Sequence, residues 1–276
     1  MSKKGLIGVQ MSTIAPNKMP KFDVYESMAR LADIGYKCIE ISQVPMSQEN
    51  VAGFRRAIDE LGFNVAAVSA LTAANPMMPG CDMSNPDEMK KMIEDAKYLD
   101  CDMFRIGAMP LQARFSLQAA VDFAKQADDF ACQLKEHGID LYYHNHHFEF
   151  VRHGGKFLMD IIKENTKYLG FELDIHWIHR GGMDPIKFIN QYAGRIRLLH
   201  LKDYRIAAME MEENADFNTK EGMMKAYAAM NDIVQFAEVG EGTLDIPGCI
   251  EAGLAGGSEY FLVEQDLSYD RDPFDC

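Results

Sequence analysis

Eight short β-rich runs, each trailed by an amphipathic stretch of helical spacing, recur along 276 residues with no linker between them. Those features predict an α/β protein, a single domain over residues 1–276 whose parallel strands close into a (β/α)8 barrel. The strand candidates are Leu6–Ser12, Lys37–Ser42, Phe63–Ala70, Met103–Ala108, Asp140–His146, Leu169–Trp177, Arg195–Asp203 and Glu259–Asp266. An open doubly wound sheet ranks lower, because the first strand-to-helix turn has no Gly-rich phosphate loop.

The helices between them carry their own punctuation. One pattern runs from Phe22 to Ile34 and stops at Gly35; another runs from about Ser47 to Leu61 and stops at Gly62. Glycine at that place suits a left-handed C-cap. Asn85-Pro86 and Asp184-Pro185 each set a capping side chain before a proline, which belongs in the first turn. The stretch Tyr204–Gln235 is long, polar and rich in Met and Glu, with a helix expected from about Thr219 to Met230. The chain ends about ten residues after Asp266, which predicts a shortened eighth helix. The apolar surface so left needs a covering element or a subunit contact, and a homo-oligomer is expected.

Composition narrows the function. A formal charge of −14 argues against a nucleic-acid partner, whose affinity rests largely on Lys and Arg neutralising phosphates. No apolar run approaches the ~18 residues of a membrane span. The N-terminal segment reads as a first strand, since Gln10 and Ser12 interrupt its apolar stretch. Six scattered cysteines without metal or redox spacing fit reduced thiols in a cytoplasmic protein.

In such a barrel the chemistry sits at the C-terminal ends of the strands. Strand five ends in Tyr143-His144-Asn145-His146 with Glu149 beyond, strand six in Leu173-Asp174-Ile175-His176-Trp177, strand seven in His200-Leu201-Lys202-Asp203, and strand eight in Val263-Glu264-Gln265-Asp266. Strand two contributes Glu40 and strand one Gln10 and Ser12. Alternation puts Glu172, Asp174 and His176 on one face, Leu198, His200 and Lys202 on another, and Glu264 with Asp266 on a third. Converging carboxylates repel one another unless a cation joins them. One imidazole with carboxylate oxygens and no thiolate suits a single divalent ion, Mn2+ first, with Mg2+, Co2+ or Zn2+ as alternatives. A Lewis acid beside a carboxylate base is what removal of a proton α to a carbonyl requires.

Tyr143-His144-Asn145-His146 followed by Glu149-Phe150 resembles the "YHNHxxEF" signature of the sugar phosphate isomerase/epimerase family, in the xylose-isomerase-like TIM barrel superfamily. Leu173-Asp174 with Trp177, Gly182 and Asp184-Pro185 is similar to its strand-six segment. His200-Leu201-Lys202-Asp203 is similar to its "HLKD", Val239-Gly240-Glu241-Gly242 to its "GEG" turn, and Val263-Glu264-Gln265-Asp266 to its last strand. The resemblance spans roughly residues 140–266, in family order. It implies a metal on Glu149, Asp174, His200 and Glu264, with Glu149 and Glu264 doubling as catalytic acid and base. It also implies a carbohydrate-metabolism enzyme, an isomerase or epimerase moving a proton on a ketose or keto-sugar, phosphorylated or not, through a metal-stabilised enediolate. The alternative is a dehydratase (lyase) of a keto-cyclitol or keto-sugar using the same site. His146, Trp177, Lys202 and Glu40 are the substrate-binding candidates. Ketose 3-epimerases carry a His three residues after the strand-six Asp, where this chain has Trp177, its only Trp.

Overall fold

A computed structural model describes residues 5–19, 21–209, 216–269 and 271–276. Its eight barrel strands are β1 Leu6–Gln10, β2 Cys38–Ile41, β3 Asn64–Ala70, β4 Met103–Ile106, β5 Asp140–His144, β6 Gly170–Asp174, β7 Ile196–Leu201 and β8 Tyr260–Val263. Each lies parallel to the next, and β8 pairs with β1 to close the barrel. The eight-stranded α/β barrel of the sequence reading is what the chain forms.

The helices lie outside it: α1 Val24–Ile34, α2 Gln48–Leu61, α3 Pro86–Tyr98, α4 Leu117–Lys135, α5 Leu158–Glu164, α6 Ile175–Arg180, α7 Pro185–Gln191, α8 Lys220–Asp232 and α9 Ile246–Gly256. Gly35 and Gly62 end α1 and α2 in the left-handed region, at φ 118° and 71°. Asn85 and Asp184 cap α3 and α7 ahead of their prolines. Thr219 caps α8 within one residue of the expected start.

Alternation sorts the barrel side chains into two populations. Ile39, Phe104, Tyr143, Phe171, Leu199 and Phe261 face outward and join the core beneath the helices. Inward, Cys38, Met103, Tyr142, Leu198 and Leu262 make an apolar floor. Gly170 is part of that floor's fit, since a Cβ there would lie 2.3 Å from the Tyr142 ring. Two residues further along the strands, the inward positions become Glu40, Arg105, His144, Glu172 and His200, with Asp174 two beyond Glu172, all buried. Polar residues therefore fill the upper half of the barrel, at the C-terminal end.

Three features depart from the sequence reading. Strand six ends at Asp174, and Ile175–Arg180 is helical, so His176 does not continue the inward face of Glu172 and Asp174. The Asp174 carboxylate caps that helix by accepting from the Trp177 N–H at 2.9 Å, which is why the strand stops there. After β7 the chain makes an antiparallel hairpin, Asp203–Ile206 with Val234–Ala237, which carries α8 at its far end. Last, a short 3-10 turn, Pro273–Asp275, stands where the eighth helix would be. Its Phe274 is buried, with the Arg30 guanidinium 3.7 Å from the ring centre. The turn packs against the 3-10 turn Met11–Ile14 that follows β1.

Asp203 explains the adjoining "GEG" turn. Its buried carboxylate accepts backbone N–H bonds from Gly240, Gly242, Thr243 and Leu244, at 3.1–3.2 Å. A Cβ at Gly242 would lie 2.2 Å from that carboxylate, so only glycine lets the loop close on it. All six cysteines are free thiols. No helix among the described residues is long and apolar enough to cross a membrane.

Candidate active site

The strand ends deliver side chains from β2, β4, β5, β6, β7 and β8 to one point, with the His200 imidazole at its centre. The Nε2 of that ring lies 3.2 Å from Glu40 and 3.2 Å from Glu172. Its Nδ1 lies 2.9 Å from Glu264 and 4.0 Å from Asp174. On the Glu40 side of the ring, Arg105 donates to Glu40 at 2.7 Å and to the Ser42 hydroxyl at 3.1 Å, and sits 3.5 Å from Glu172. On the Glu264 side, Lys202 lies 2.9 Å from Glu264, 3.0 Å from Asp266 and 3.6 Å from Asp174. Gln10 and the Ser12 hydroxyl both donate to Oε1 of Glu264, at 3.0 and 3.1 Å.

Negative charge is in excess here. Glu40, Glu172, Asp174, Glu264 and Asp266 face two permanent cations, Arg105 and Lys202. The groups respond as an over-crowded anionic site must, by holding protons. Burial and the neighbouring Glu40 push Glu172 up to about 8. Burial likewise pushes Asp174 up to about 6, against the pull of Lys202. Burial disfavours the charged form of His200, but Glu172, Glu40 and Glu264 outweigh it and raise its pKa well above the usual imidazole value. Burial would also raise Glu264, yet Lys202 and His200 hold it well below the carboxylate range. A divalent cation offers the same neutralisation as those retained protons, with the donors still available to bind it.

Ligand atoms of His144, Asp174, His200 and Glu264 all lie within 4.8 Å of one another. Two of them have no hydrogen-bond partner although buried: Nδ1 of His144 and Oδ2 of Asp174. Burial, helped by the adjacent His200 and His146, drives the His144 pKa well below the usual value, so its ring is neutral and keeps a lone pair. Nδ1 of His144 has Glu172 at 3.5 Å and Oδ2 of Asp174 has Lys202 at 3.6 Å, neither in a hydrogen bond, and this convergent imidazole–carboxylate set fits a divalent ion. Glu40, Glu172 and His200 make a second close group, but Arg105 is already lodged in it.

Three of the four ligand candidates, Asp174, His200 and Glu264, are thus brought together. Glu149 is not among them. It lies on a 3-10 turn after β5, where its carboxylate accepts from the Tyr143 hydroxyl at 2.5 Å and from the His146 N–H at 2.8 Å. Tyr143 is an outward residue of β5, and Glu149, on the turn beyond that strand, is held by its hydroxyl. His144, whose parity points inward, lies within the close group with those three.

A cavity of about 540 Å³ opens above the cluster, lined by His144, His146, Lys202, Glu264 and Asp266, with Arg105, Gln10, Ser69 and Thr72. Of the substrate-binding candidates, His146 and Lys202 face it. Glu40 does not; it is fully buried underneath, paired with Arg105 and His200. Trp177 stands beside the cavity, with ring centres 5.6 Å from His146 and 5.0 Å from His147, and the Lys202 ammonium 5.1 Å from its own centre. Ser12 and Asp266, both at strand ends, touch the charged centre through Glu264 and Lys202.

Burial raises the Glu149 carboxyl from 4.5 to about 7, although Tyr143 and the His146 N–H pull it down. The folded protein therefore holds that proton more tightly than the unfolded chain. Stability should fall as pH rises from about 4.5 to 7, by about 3 kcal/mol from this group, and level off above. Urea unfolding across that range should show a slope in the native chain that is smaller by this amount in Glu149→Gln, the remainder belonging to Asp174 and Glu172.

Parallel closure and a charged cluster at the C-terminal mouth define a (β/α)8 barrel with a cation-ready site. The family model for the xylose isomerase-like TIM barrel matches residues 28–266, and the chain belongs to that family. Among curated proteins, an inosose dehydratase of Clostridium perfringens is 29% identical over 135 residues, 48% of this chain and 42% of that protein. The match thus spans less than half of the relative's length. Among solved structures, a sugar phosphate isomerase/epimerase from Parabacteroides distasonis superposes with a TM-score of 0.71 at 18% identity, covering 99% of this chain and 94% of that one. The IolI protein, described with a bound zinc atom, superposes with a TM-score of 0.59 at 14% identity, covering 95% of this chain and 90% of that one.

Proposed function

We propose that this chain is a divalent-metal-dependent isomerase-type enzyme that moves a proton on the carbon beside the carbonyl of a keto-sugar. The observation that carries this reading is the convergence of His144, Asp174, His200 and Glu264 at the base of a polar cavity, with two of their ligand atoms lacking any hydrogen bond. Those four residues would hold the ion, and zinc in the IolI relative supports a divalent metal. The ion, when bound, withdraws electron density from the substrate carbonyl and so acidifies the adjacent C–H.

The remaining work falls to the chain. Glu264 is ionised beside Lys202 and His200 and is oriented by Gln10 and Ser12 at the cavity, so it is free to accept a proton there and return it. Lys202 stays protonated between Glu264, Asp266 and Asp174, and its ammonium can donate to a substrate oxygen as negative charge grows there. His146, which burial lowers to about 3, is neutral and can bond a sugar hydroxyl. With Glu149 engaged by Tyr143 and the His146 N–H, Glu264 is the carboxylate placed to act as a base on the cavity side. One base returning its proton to a neighbouring carbon is isomerisation; epimerisation would need a second group on the opposite face, for which His146 stands nearest.

A second reading is dehydration, favoured by the inosose dehydratase match. Glu264 would take the proton, the C–O bond to the β-hydroxyl would break, and Lys202 would supply the proton with which that oxygen leaves as water.

Incubation of the protein with a panel of keto-sugars in D2O tests the reading. Deuterium should enter the α-carbon in the presence of Mn2+, cease after chelation, and return on adding the metal back. Exchange indifferent to chelation would remove the metal from the proposal. Loss of water, read by mass, would select the dehydratase.

A further inference from the structure

A second cavity, about 460 Å³, adjoins the one above the charged cluster. Ser42, Gln43, Ser69, Asn75 and Met78 line both, so the two share a border of mainly polar side chains. Away from that border the second wall is made by Ile41, Val44, Met46, Val68, Met77 and Cys81, with three prolines. Among the described residues, no charged side chain lines it. Gln43, on the border, holds a left-handed backbone at φ 56°, a conformation that side chains other than glycine adopt at a cost and that recurs at ligand sites.

We propose that this second cavity receives an apolar substituent of the same substrate, so that the enzyme acts on a keto-sugar carrying an aryl or alkyl aglycone and not on a free monosaccharide. The inference rests on the keto-sugar reading above. Each cavity alone falls within the about 300–1,000 Å³ range of small-molecule sites, so a monosaccharide over the charged cluster leaves the second one unfilled. Sugar hydroxyls pushed into it would lose water and find few partners, and a phosphate would meet no cation. An aromatic or alkyl group meets thioethers and aliphatic carbons, and methionines re-pack around differing shapes. Met77, 85% exposed, is the apolar side chain left at the rim for such a group to cover.

The test compares the methyl and phenyl glycosides of 3-keto-glucose, identical but for the aglycone, by titration calorimetry on the Mn2+-loaded protein. The phenyl compound should bind at least tenfold more tightly. In Met77→Asp and in Met46→Gln that advantage should shrink to threefold or less, with methyl glycoside affinity unchanged. Met77 is exposed, so its variant keeps the fold even if Met46→Gln does not. Equal affinity for the two glycosides overturns the inference while leaving the keto-sugar reading standing. Absence of binding by both, with no α-proton exchange from either in D2O, brings down the keto-sugar reading and the inference with it.

Discussion

Glu264→Gln should lower turnover on the order of 10³-fold while leaving the thermal midpoint within a few degrees of the native value. The size follows from what the carboxylate does: a positioned general base is worth roughly 10²–10⁴-fold. The intact fold follows from its surroundings. Glutamine retains an oxygen to accept from Gln10 and Ser12; its amide costs His200 Nδ1 and Lys202 their 2.9 Å acceptor, but Lys202 keeps Asp266 at 3.0 Å and Asp174 at 3.6 Å for its charge. Because Glu264 is also a proposed ligand, metal content must be measured beside rate. If the variant still binds Mn2+ and has lost deuterium exchange, the base is Glu264. If it exchanges at the native rate with metal bound, the proton is carried by another group, and Glu264 is a ligand alone. A variant that neither binds metal nor exchanges would make holding the ion its first task.

How much of this was legible in the sequence depends on the element. The strands and their caps follow from local rules, and Gly35, Gly62, Asn85, Asp184 and Thr219 stand where capping chemistry puts them. The end of β6 was misread, because Ile175-His176-Trp177 continues a β-like alternation; what stops the strand is Asp174 capping the next helix, a use of the carboxylate that spacing does not reveal. The hairpin that follows Lys202 was missed for a similar reason. Its partner strand, Val234–Ala237, lies about thirty residues on, beyond the reach of local pattern. Within the site, parity placed Asp174, His200 and Glu264 on the inner face, and the structure gathers them. The same parity count on β5, where Tyr142 is inward, selects His144. Glu149 lies five residues past that strand, where alternation no longer holds, and its fate is decided by a tertiary bond to Tyr143. Glu40 was read as a mouth residue because it is charged and on a strand; its burial against Arg105, two strands away, becomes visible only once the barrel is closed.

That contrast on β5 supplies the sharpest separation of roles. His144→Ala should weaken Mn2+ binding by ~100-fold or more, the scale on which a lost ligand exceeds the 10–100-fold of an outer partner. Glu149→Gln should change it by about threefold or less, since no ligand atom of the cluster touches that carboxylate. Both side chains are buried and both variants leave a hole or an unmade bond, so destabilisation alone does not distinguish them. Metal affinity does, read by competition against a fluorescent chelator on protein shown to be folded by circular dichroism. The physical ground is what each group already contacts. The His144 ring centre lies 4.5 Å from that of His200, with its Nδ1 free of hydrogen bonds, whereas both oxygens of Glu149 are already engaged by Tyr143 and the His146 N–H. For Glu149 to ligate, the turn at His147–Phe150 would have to open and surrender those two bonds, each worth about 1.5–3 kcal/mol when the acceptor is charged. A large loss of metal in Glu149→Gln together with native affinity in His144→Ala would mean that this turn does open when the ion binds, and that the ligand set is Glu149, Asp174, His200 and Glu264.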